Sequence, residues 1–127
     1  VRIYMGHGIN ESAVRDHNCI KPNQFYDADV VTIPELLSSY EGVSVLKMDA
    51  EGSEYDIIES LKELSVPQFC VEFHHFCTSK TVDDTKRCIS KIQSLGYTNF
   101  AIRPSRNKKD EVEKPLIELT FVHDSIV

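Results

Sequence analysis

Several features that identify membrane, secreted or metal-knuckle proteins are absent from this sequence of 127 residues. No apolar run approaches the roughly 18 residues that a membrane-spanning helix needs, and the N-terminus lacks the apolar core of a signal peptide. The four cysteines, Cys19, Cys70, Cys77 and Cys88, are too few and too irregularly spaced for a disulfide framework or for paired zinc knuckles. We therefore expect reduced thiols in a cytoplasmic protein with no membrane partner.

Positive charge is also in short supply. Lys and Arg total 14 against 20 for Asp and Glu, which gives a formal net charge of −6 at pH 7. Proteins that bind nucleic acid usually carry a basic face, so we expect no nucleic-acid partner. The length predicts a single domain over residues 1–127. Because the first residue is Val1 rather than Met, we expect the natural N-terminus to lie upstream.

Hydrophobic periodicity and turn residues predict an alternation of strands and helices. The predicted strands cover 1–5, 43–49, 68–76, 97–105 and 115–124, and a short extended piece covers 29–33. The predicted helices cover 34–41, 53–64 and 82–95. Residues 10–29 are interpreted as irregular. Strands that alternate with helices and are followed by two strands close in sequence predict an α/β fold. We expect a parallel sheet that is finished by an antiparallel hairpin.

The most informative stretch is "VLKMDAEGSEYDII", residues 45–58, in which acidic residues follow an apolar strand. Asp49 and Glu51 stand where that strand ends, and Glu72 and His74 stand near the end of the next strand. Two parallel strands joined by a right-handed crossover helix end at the same edge, where α/β sheets bind ligands. We expect these four side chains to converge there. The alternative is that Asp49 and Glu51 only complement a helix dipole.

Lys47 is unusual because it lies in the middle of a predicted strand. We expect it to form an ion pair with Glu51, Glu54 or Glu72. The alternative is a lysine whose charged end reaches the surface while its stem lies along the sheet.

His74 and His75 are neighbours on a predicted strand and should point to opposite faces, so only one of them can serve the same site. Cys70, Glu72 and His74 share a face, but side chains two residues apart on a strand are about 7 Å apart. That spacing is too wide for three ligands of one ion without bending. We expect no metal site from these residues.

"LKMDAEGSEYDII" resembles the signature of the FkbM-type methyltransferases, whose pattern is roughly Leu-Lys-Ile-Asp-Val-Glu-Gly-Ala-Glu. "PQFCVEFHH" resembles the next strand of that family, which carries Glu and then His two residues later. "TIPELL", "LGY" and "ELTFVH" resemble weaker parts of its pattern, so the resemblance runs from about residue 28 to the end. The residues that agree with the central signature are Lys47, Asp49, Glu51, Gly52 and Glu54.

This resemblance implies a Rossmann-like class I methyltransferase sheet and transfer of a methyl group from S-adenosylmethionine to a hydroxyl group of a small molecule or glycan. It implies that Asp49 serves both catalysis and cofactor binding. A base is needed to remove the hydroxyl proton, and His74 or a carboxylate is the candidate. The catalytic residues implied by the resemblance are Lys47, Asp49, Glu51, Glu72 and His74.

The glycine-rich cofactor turn that the resemblance implies is missing, since "GHG" at 6–8 is a weak match. We align "VRIYMGHGI" with the third strand of the family, which puts Gly8 and Ile9 near the adenine. On that alignment the first two strands are absent, and the chain is the carboxyl-terminal portion of a methyltransferase domain. We expect it to be inactive alone, to bind the cofactor poorly and to form homo-oligomers through an exposed sheet edge.

Two other functions remain open at this point. One is a non-catalytic binding or regulatory domain with a degenerate methyltransferase fold, which the missing glycine turn favours. The other is a small nucleotide-binding α/β module that uses "GHG" in its first turn. The sequence upstream of Val1 would distinguish them, because a glycine-rich turn there would support the enzyme.

Overall fold

A computed structural model describes residues 1–6, 11–17, 20–105 and 116–126 of the chain. The strands are β1 (Arg2–Gly6), β2 (Glu11–Ser12), β3 (Ile20–Asp27), β4 (Val45–Met48), β5 (Gln68–Phe73), β6 (Tyr97–Ser105) and β7 (Leu116–His123). The helices are α1 (Ile33–Ser38), α2 (Glu54–Ser60) and α3 (Val82–Ser94), and a 3-10 turn covers Asp124–Ile126. None of the helices within these residues is long and apolar enough to cross a membrane.

The larger sheet has the strand order β4-β5-β7-β6. β4 and β5 are parallel, whereas β7 is antiparallel to both β5 and β6. This confirms the predicted α/β arrangement of a parallel pair finished by an antiparallel hairpin. Within the described residues β4 pairs with β5 alone, so its other side is an edge of the sheet.

The core lies on one face of this sheet because apolar residues alternate along the strands. Phe69, Val71 and Phe73 of β5 are fully buried, while the residues between them are half-buried on the other face. Cys88 and Ile92 of α3 pack into the same core. Within the described part of the chain, Cys70 and Cys88 are free thiols.

Two helices begin at capping boxes, as the sequence suggests for the first of them. Thr32 and Glu35 form one at α1, and Thr81 and Asp84 form the other at α3. In each box the threonine accepts a backbone N–H and the acid accepts the N–H of the threonine. α1 ends three residues earlier than predicted, at Ser38.

The helix predicted over 53–64 is shorter, since α2 ends at Ser60. Leu61 leaves the helix with an extended backbone, φ −62° and ψ 126°. Leu61 and Leu64 are nevertheless buried, at 4% and 6% exposure. Leu61 and Leu64, whose spacing predicted a longer helix, thus pack into the core from the loop that follows α2.

The N-terminal region differs most from the prediction. Residues 10–29 are not irregular, because they contain β2 and β3, which pair with β1 in a separate antiparallel sheet of order β2-β1-β3. The placement of "VRIYM" in the parallel sheet, as its third strand, is therefore wrong. The extended piece predicted at 29–33 is not a strand of either sheet, since residues 28–32 have no regular structure and α1 begins at Ile33.

The reason is that β3 has a polar sequence whose stabilising contacts are with β1. The Arg2 guanidinium lies 4.1 Å from the centre of the Phe25 ring and 3.4 Å from the Asp27 carboxylate. The backbone N–H of Ala28 donates to Val1 at 2.8 Å. These cross-strand contacts join positions far apart in sequence, so hydrophobic alternation within 10–29 does not reveal them.

The loop 61–67 depends on one buried hydroxyl. Tyr97, 2% exposed, places its OH 2.6 Å from the carbonyl oxygen of Val66, 3.1 Å from that of Leu64 and 3.2 Å from the N–H of Val66. The hydroxyl donates a hydrogen bond to one of the carbonyl oxygens and accepts one from the N–H of Val66. Without this hydroxyl, these backbone groups would be buried without partners.

We expect Tyr97→Phe to lower the free energy of unfolding by about 1–3 kcal/mol, because it leaves buried backbone groups unsatisfied. Urea denaturation measures this change. Tyr40→Phe is the matched control, since Tyr40 is 63% exposed. Equal stability of the two variants would show that the hydroxyl of Tyr97 does not hold the loop.

Candidate functional site

Three ionisable side chains meet at the carboxyl ends of the parallel strands β4 and β5. Asp49 follows β4, Glu51 lies in the turn after it, and His74 follows β5. The Nε2 atom of His74 lies 3.5 Å from Oδ1 of Asp49 and 3.5 Å from Oε2 of Glu51. The predicted convergence of these side chains is confirmed. We call Asp49, Glu51 and His74 the rim cluster.

Glu54 lies beneath the rim cluster and is fully buried, at 0% exposure. It accepts the backbone N–H of Gly52 at 2.8 Å and that of His74 at 2.7 Å. The Nδ1 atom of the His74 ring lies 3.1 Å from the same carboxylate. Glu54 therefore ties the turn after β4 to the end of β5 and orients the ring of His74.

Sequence reasoning considered Glu54 only as a partner of Lys47 and did not assign it to the site. Its position in the family signature, two residues after Gly52, was the available signal. Burial of an acidic residue in the first turn of α2 could not be inferred from its type, since Glu is seldom fully buried without a partner.

The turn after β4 has a backbone that few residues adopt. Glu51 has φ +46° and Gly52 has φ +103°. A Cβ atom on Gly52 would lie 2.6 Å from Cγ2 of Thr78 and 3.3 Å from Cγ2 of Val14. Glycine is required there for both reasons, and the tight turn brings Glu51 back beside His74.

The segment 11–17, which follows β1, packs over this turn and adds a second histidine to the site. Ser12 donates a hydrogen bond from Oγ to the carbonyl oxygen of Glu51. His17, whose side chain is 1% exposed, places Nε2 3.1 Å from Oε2 of Glu51. The rings of His17 and His74 have centres 6.2 Å apart. His17 was missed because 10–29 was interpreted as irregular, and no local spacing connects it to Glu51.

Burial and charge shift the pKa values of these groups in different directions. Burial lowers the pKa of His17, and the nearby His74 lowers it further. Burial would also lower the pKa of His74, but the hydrogen bond to Glu54 and the charges of Glu54 and Glu51 outweigh it and raise this pKa above its usual value. Burial raises the pKa of Glu51 against the opposing effect of His74.

Lys47 forms an ion pair, as expected, but the predicted partners are wrong. Its Nζ lies 3.1 Å from Oε2 of Glu118 on β7. Lys47 of β4 pairs in register with Cys70 of β5, and Cys70 pairs with Thr120 of β7. Glu118 lies two residues from Thr120 and therefore on the same outer face of the sheet. The pairing therefore crosses β5, and it places Lys47 on the sheet face rather than in the rim cluster.

Glu72 stands directly opposite Glu118 on the half-buried outer face of β5. Burial raises the pKa of Glu72, and the charge of Asp49 raises it further. Glu72 therefore adds negative charge near the rim cluster, although among the described residues it forms no ion pair with His74.

His75 does not belong to the rim cluster, although both histidines follow the end of β5 at Phe73 and do not lie on the strand as predicted. Its Nδ1 lies 3.3 Å from Oγ1 of Thr85, which in turn lies 3.2 Å from the OH of Tyr55. Its ring packs against Phe76 with centres 4.0 Å apart. His75 therefore belongs to the buried polar contacts between β5 and α3.

Two predicted cofactor contacts, Gly8 and Ile9, lie outside the described residues. The combination of Cys70, Glu72 and His74 does not form a ligand set, and the thiol of Cys70 lies 3.6 Å from Oγ1 of Thr120 instead. The ligand atoms of the rim cluster, in contrast, all lie within 4.8 Å of one another.

Comparison with known proteins adds one match. The model of the methyltransferase FkbM domain matches residues 6–99, which include β4, α2, β5 and the segment with His17. No curated protein and no solved structure matches the chain significantly.

We expect Glu54→Gln to lower the free energy of unfolding by about 1–3 kcal/mol, since an amide cannot accept all three hydrogen bonds that the carboxylate accepts. The same change should release the ring of His74, which ¹⁵N NMR of the imidazole detects as a change of tautomer or pKa.

Glu59→Gln is the matched control on the same helix, since the side chain of Glu59 is 53% exposed. It should leave the His74 ring signals unchanged. If the His74 signals are the same in both variants, Glu54 does not orient the ring.

Proposed function

The chain belongs to the FkbM methyltransferase family, and from that premise we propose that it transfers a methyl group from S-adenosylmethionine to a hydroxyl oxygen of a small molecule or glycan. The observation that carries the proposal is the rim cluster itself. Asp49, Glu51 and the buried Glu54 surround the single imidazole of His74 at the edge of the sheet where α/β proteins bind ligands.

The charge of this site suits the cofactor. Asp49, Glu51 and Glu54 bring three carboxylates to one histidine, and Glu72 adds a fourth carboxylate nearby. S-adenosylmethionine carries positive charge at its sulfur and its amine and supplies an already activated methyl group. Carboxylates at a partly closed site attract such charges more strongly than they would in open water.

Asp49 is the residue best placed to meet the acceptor. Its side chain is 44% exposed, compared with 25% for Glu51 and 3% for His74. We infer that its carboxylate accepts the hydrogen bond of the acceptor hydroxyl, holds the oxygen in position and accepts its proton. Glu51 and His74 are less exposed than Asp49 and contribute charge beside it.

The other proposed residues have supporting roles. Glu72 increases the negative charge beside Asp49, and Lys47 neutralises part of it through its ion pair with Glu118. Gly8 and Ile9 remain proposed contacts of the adenine.

We propose that the larger sheet corresponds to the carboxyl-terminal half of a Rossmann-like class I sheet. The parallel pair β4-β5 followed by the antiparallel hairpin supports this. We also propose that two copies of the chain associate along the free edge of β4, because unpaired backbone groups on a sheet edge favour strand pairing. Sedimentation over a range of concentrations tests this association, and a monomer at every concentration would contradict it.

The charge argument predicts that the protein prefers S-adenosylmethionine over S-adenosylhomocysteine, which lacks the positive charge at sulfur. In the full-length protein, Asp49→Asn should reduce this preference, since it removes one negative charge with little change of shape. Calorimetric titration of both ligands measures the ratio of Kd values. The same ratio in the variant and the unchanged protein would mean that the cluster does not recognise the sulfonium charge.

In the same protein, we expect Asp49→Asn to reduce the rate of methyl transfer by about 100-fold or more, the usual contribution of a positioned acid or base. Transfer of a labelled methyl group to a panel of hydroxyl compounds measures the rate. Asp56→Asn is the control, since the side chain of Asp56 is 77% exposed on α2. An Asp49→Asn protein with normal turnover would refute this role.

A further inference from the structure

The ligand atoms of the rim cluster are spaced as they would be around one cation, within 4.8 Å of one another. His74 Nε2 lies at the same distance, 3.5 Å, from an oxygen of Asp49 and from an oxygen of Glu51. Charge-assisted hydrogen bonds between nitrogen and a carboxylate are about 2.7–2.9 Å long. Two ligand atoms about 2.1 Å from one tetrahedral cation are about 3.4 Å apart. The observed spacing is therefore that of ligands around a cation.

The other nitrogen of His74 is already engaged. Nδ1 lies 3.1 Å from Oε1 of Glu54, a fully buried carboxylate that also accepts two backbone N–H groups. Since a carboxylate accepts hydrogen bonds, the ring hydrogen belongs on Nδ1. Nε2 is then the ring nitrogen that faces the two carboxylates, 3.5 Å from an oxygen of each, and its lone pair can bind a cation once Nε2 carries no hydrogen. A carboxylate behind the ring of a histidine is the arrangement that orients metal-binding histidines in proteins.

A second buried histidine supports Glu51 from the other side. His17 comes from the separate segment 11–17, its side chain is 1% exposed, and its Nε2 lies 3.1 Å from Oε2 of Glu51. Both Glu51 and His74 therefore have a buried partner that fixes their orientation, and such partners usually accompany metal ligands.

We propose that Asp49, Glu51 and His74 bind one divalent metal cation through Oδ1, Oε2 and Nε2. Two carboxylate oxygens and one imidazole nitrogen suit Mn²⁺ or Zn²⁺. Three protein ligands leave coordination positions open, and the partial exposure of Asp49 places them toward solvent. The role of the cation rests on the proposed function: it would bind the acceptor hydroxyl and make its proton easier to remove. The binding site itself does not depend on that function.

The test uses Mn²⁺ alone, without cofactor or acceptor, on the full-length protein. Electron paramagnetic resonance of free Mn²⁺ gives the number of sites and the Kd, and NMR reports which histidine ring signals are broadened. We expect one site, broadening of the His74 ring first, and competition by Zn²⁺. Glu51→Gln should weaken binding by about 10-fold or more.

Glu118→Gln is the matched control, since Glu118 is half-buried on the neighbouring strand and pairs with Lys47 instead. It should leave the Kd of Mn²⁺ unchanged. Asp49→Asn is a second variant and should weaken Mn²⁺ binding by the same factor. It tests the site if Glu51→Gln unfolds the turn. Circular dichroism checks that each variant is folded.

Absence of saturable Mn²⁺ and Zn²⁺ binding, or equal weakening by Glu51→Gln and Glu118→Gln, would overturn the metal site. Neither result decides whether the protein is a transferase, because methyl transfer and the preference for S-adenosylmethionine are measured in separate experiments. Saturable Mn²⁺ binding that broadens His74 supports the site even in a protein that shows no methyl transfer.

Discussion

The buried carboxylate of Glu54 is the constraint on which the site depends. A fully buried carboxylate is costly unless hydrogen bonds satisfy it, and removing its partners leaves the charge uncompensated. Glu54 finds these partners in the N–H of Gly52, the N–H of His74 and the ring of His74. The end of β5 and the turn after β4 are therefore fixed relative to each other by one side chain at the start of α2.

The turn itself is held from both sides. Glu51 and Gly52 have positive φ, and the space at Gly52 is closed by Thr78 on one side and Val14 on the other. Ser12 and His17 contact Glu51 from the N-terminal sheet region. The N-terminal segment thus does more than extend the domain, because it closes one side of the rim cluster and orients Glu51.

Charge is divided between two regions of the larger sheet. Lys47 and Glu118 pair on its outer face, whereas Asp49, Glu51 and His74 meet at its end. Of these two regions, the rim cluster is the one in which a partly exposed carboxylate, Asp49, lies beside a histidine oriented by the buried Glu54. The match to the family model covers residues 6–99, and the rim cluster lies within that range.

The sequence by itself determined the features that depend on neighbouring residues. Alternation in "QFCVEF" predicted β5, Thr32 with Glu35 predicted a helix start, and the spacing of strands predicted that Asp49 and His74 meet. The pairing of distant groups is visible in the fold alone: Lys47 with Glu118, His17 with Glu51, and β1 with β3. Local sequence patterns report which face of an element is apolar. The partner of a buried or charged group depends on register and packing between segments that lie far apart in the chain.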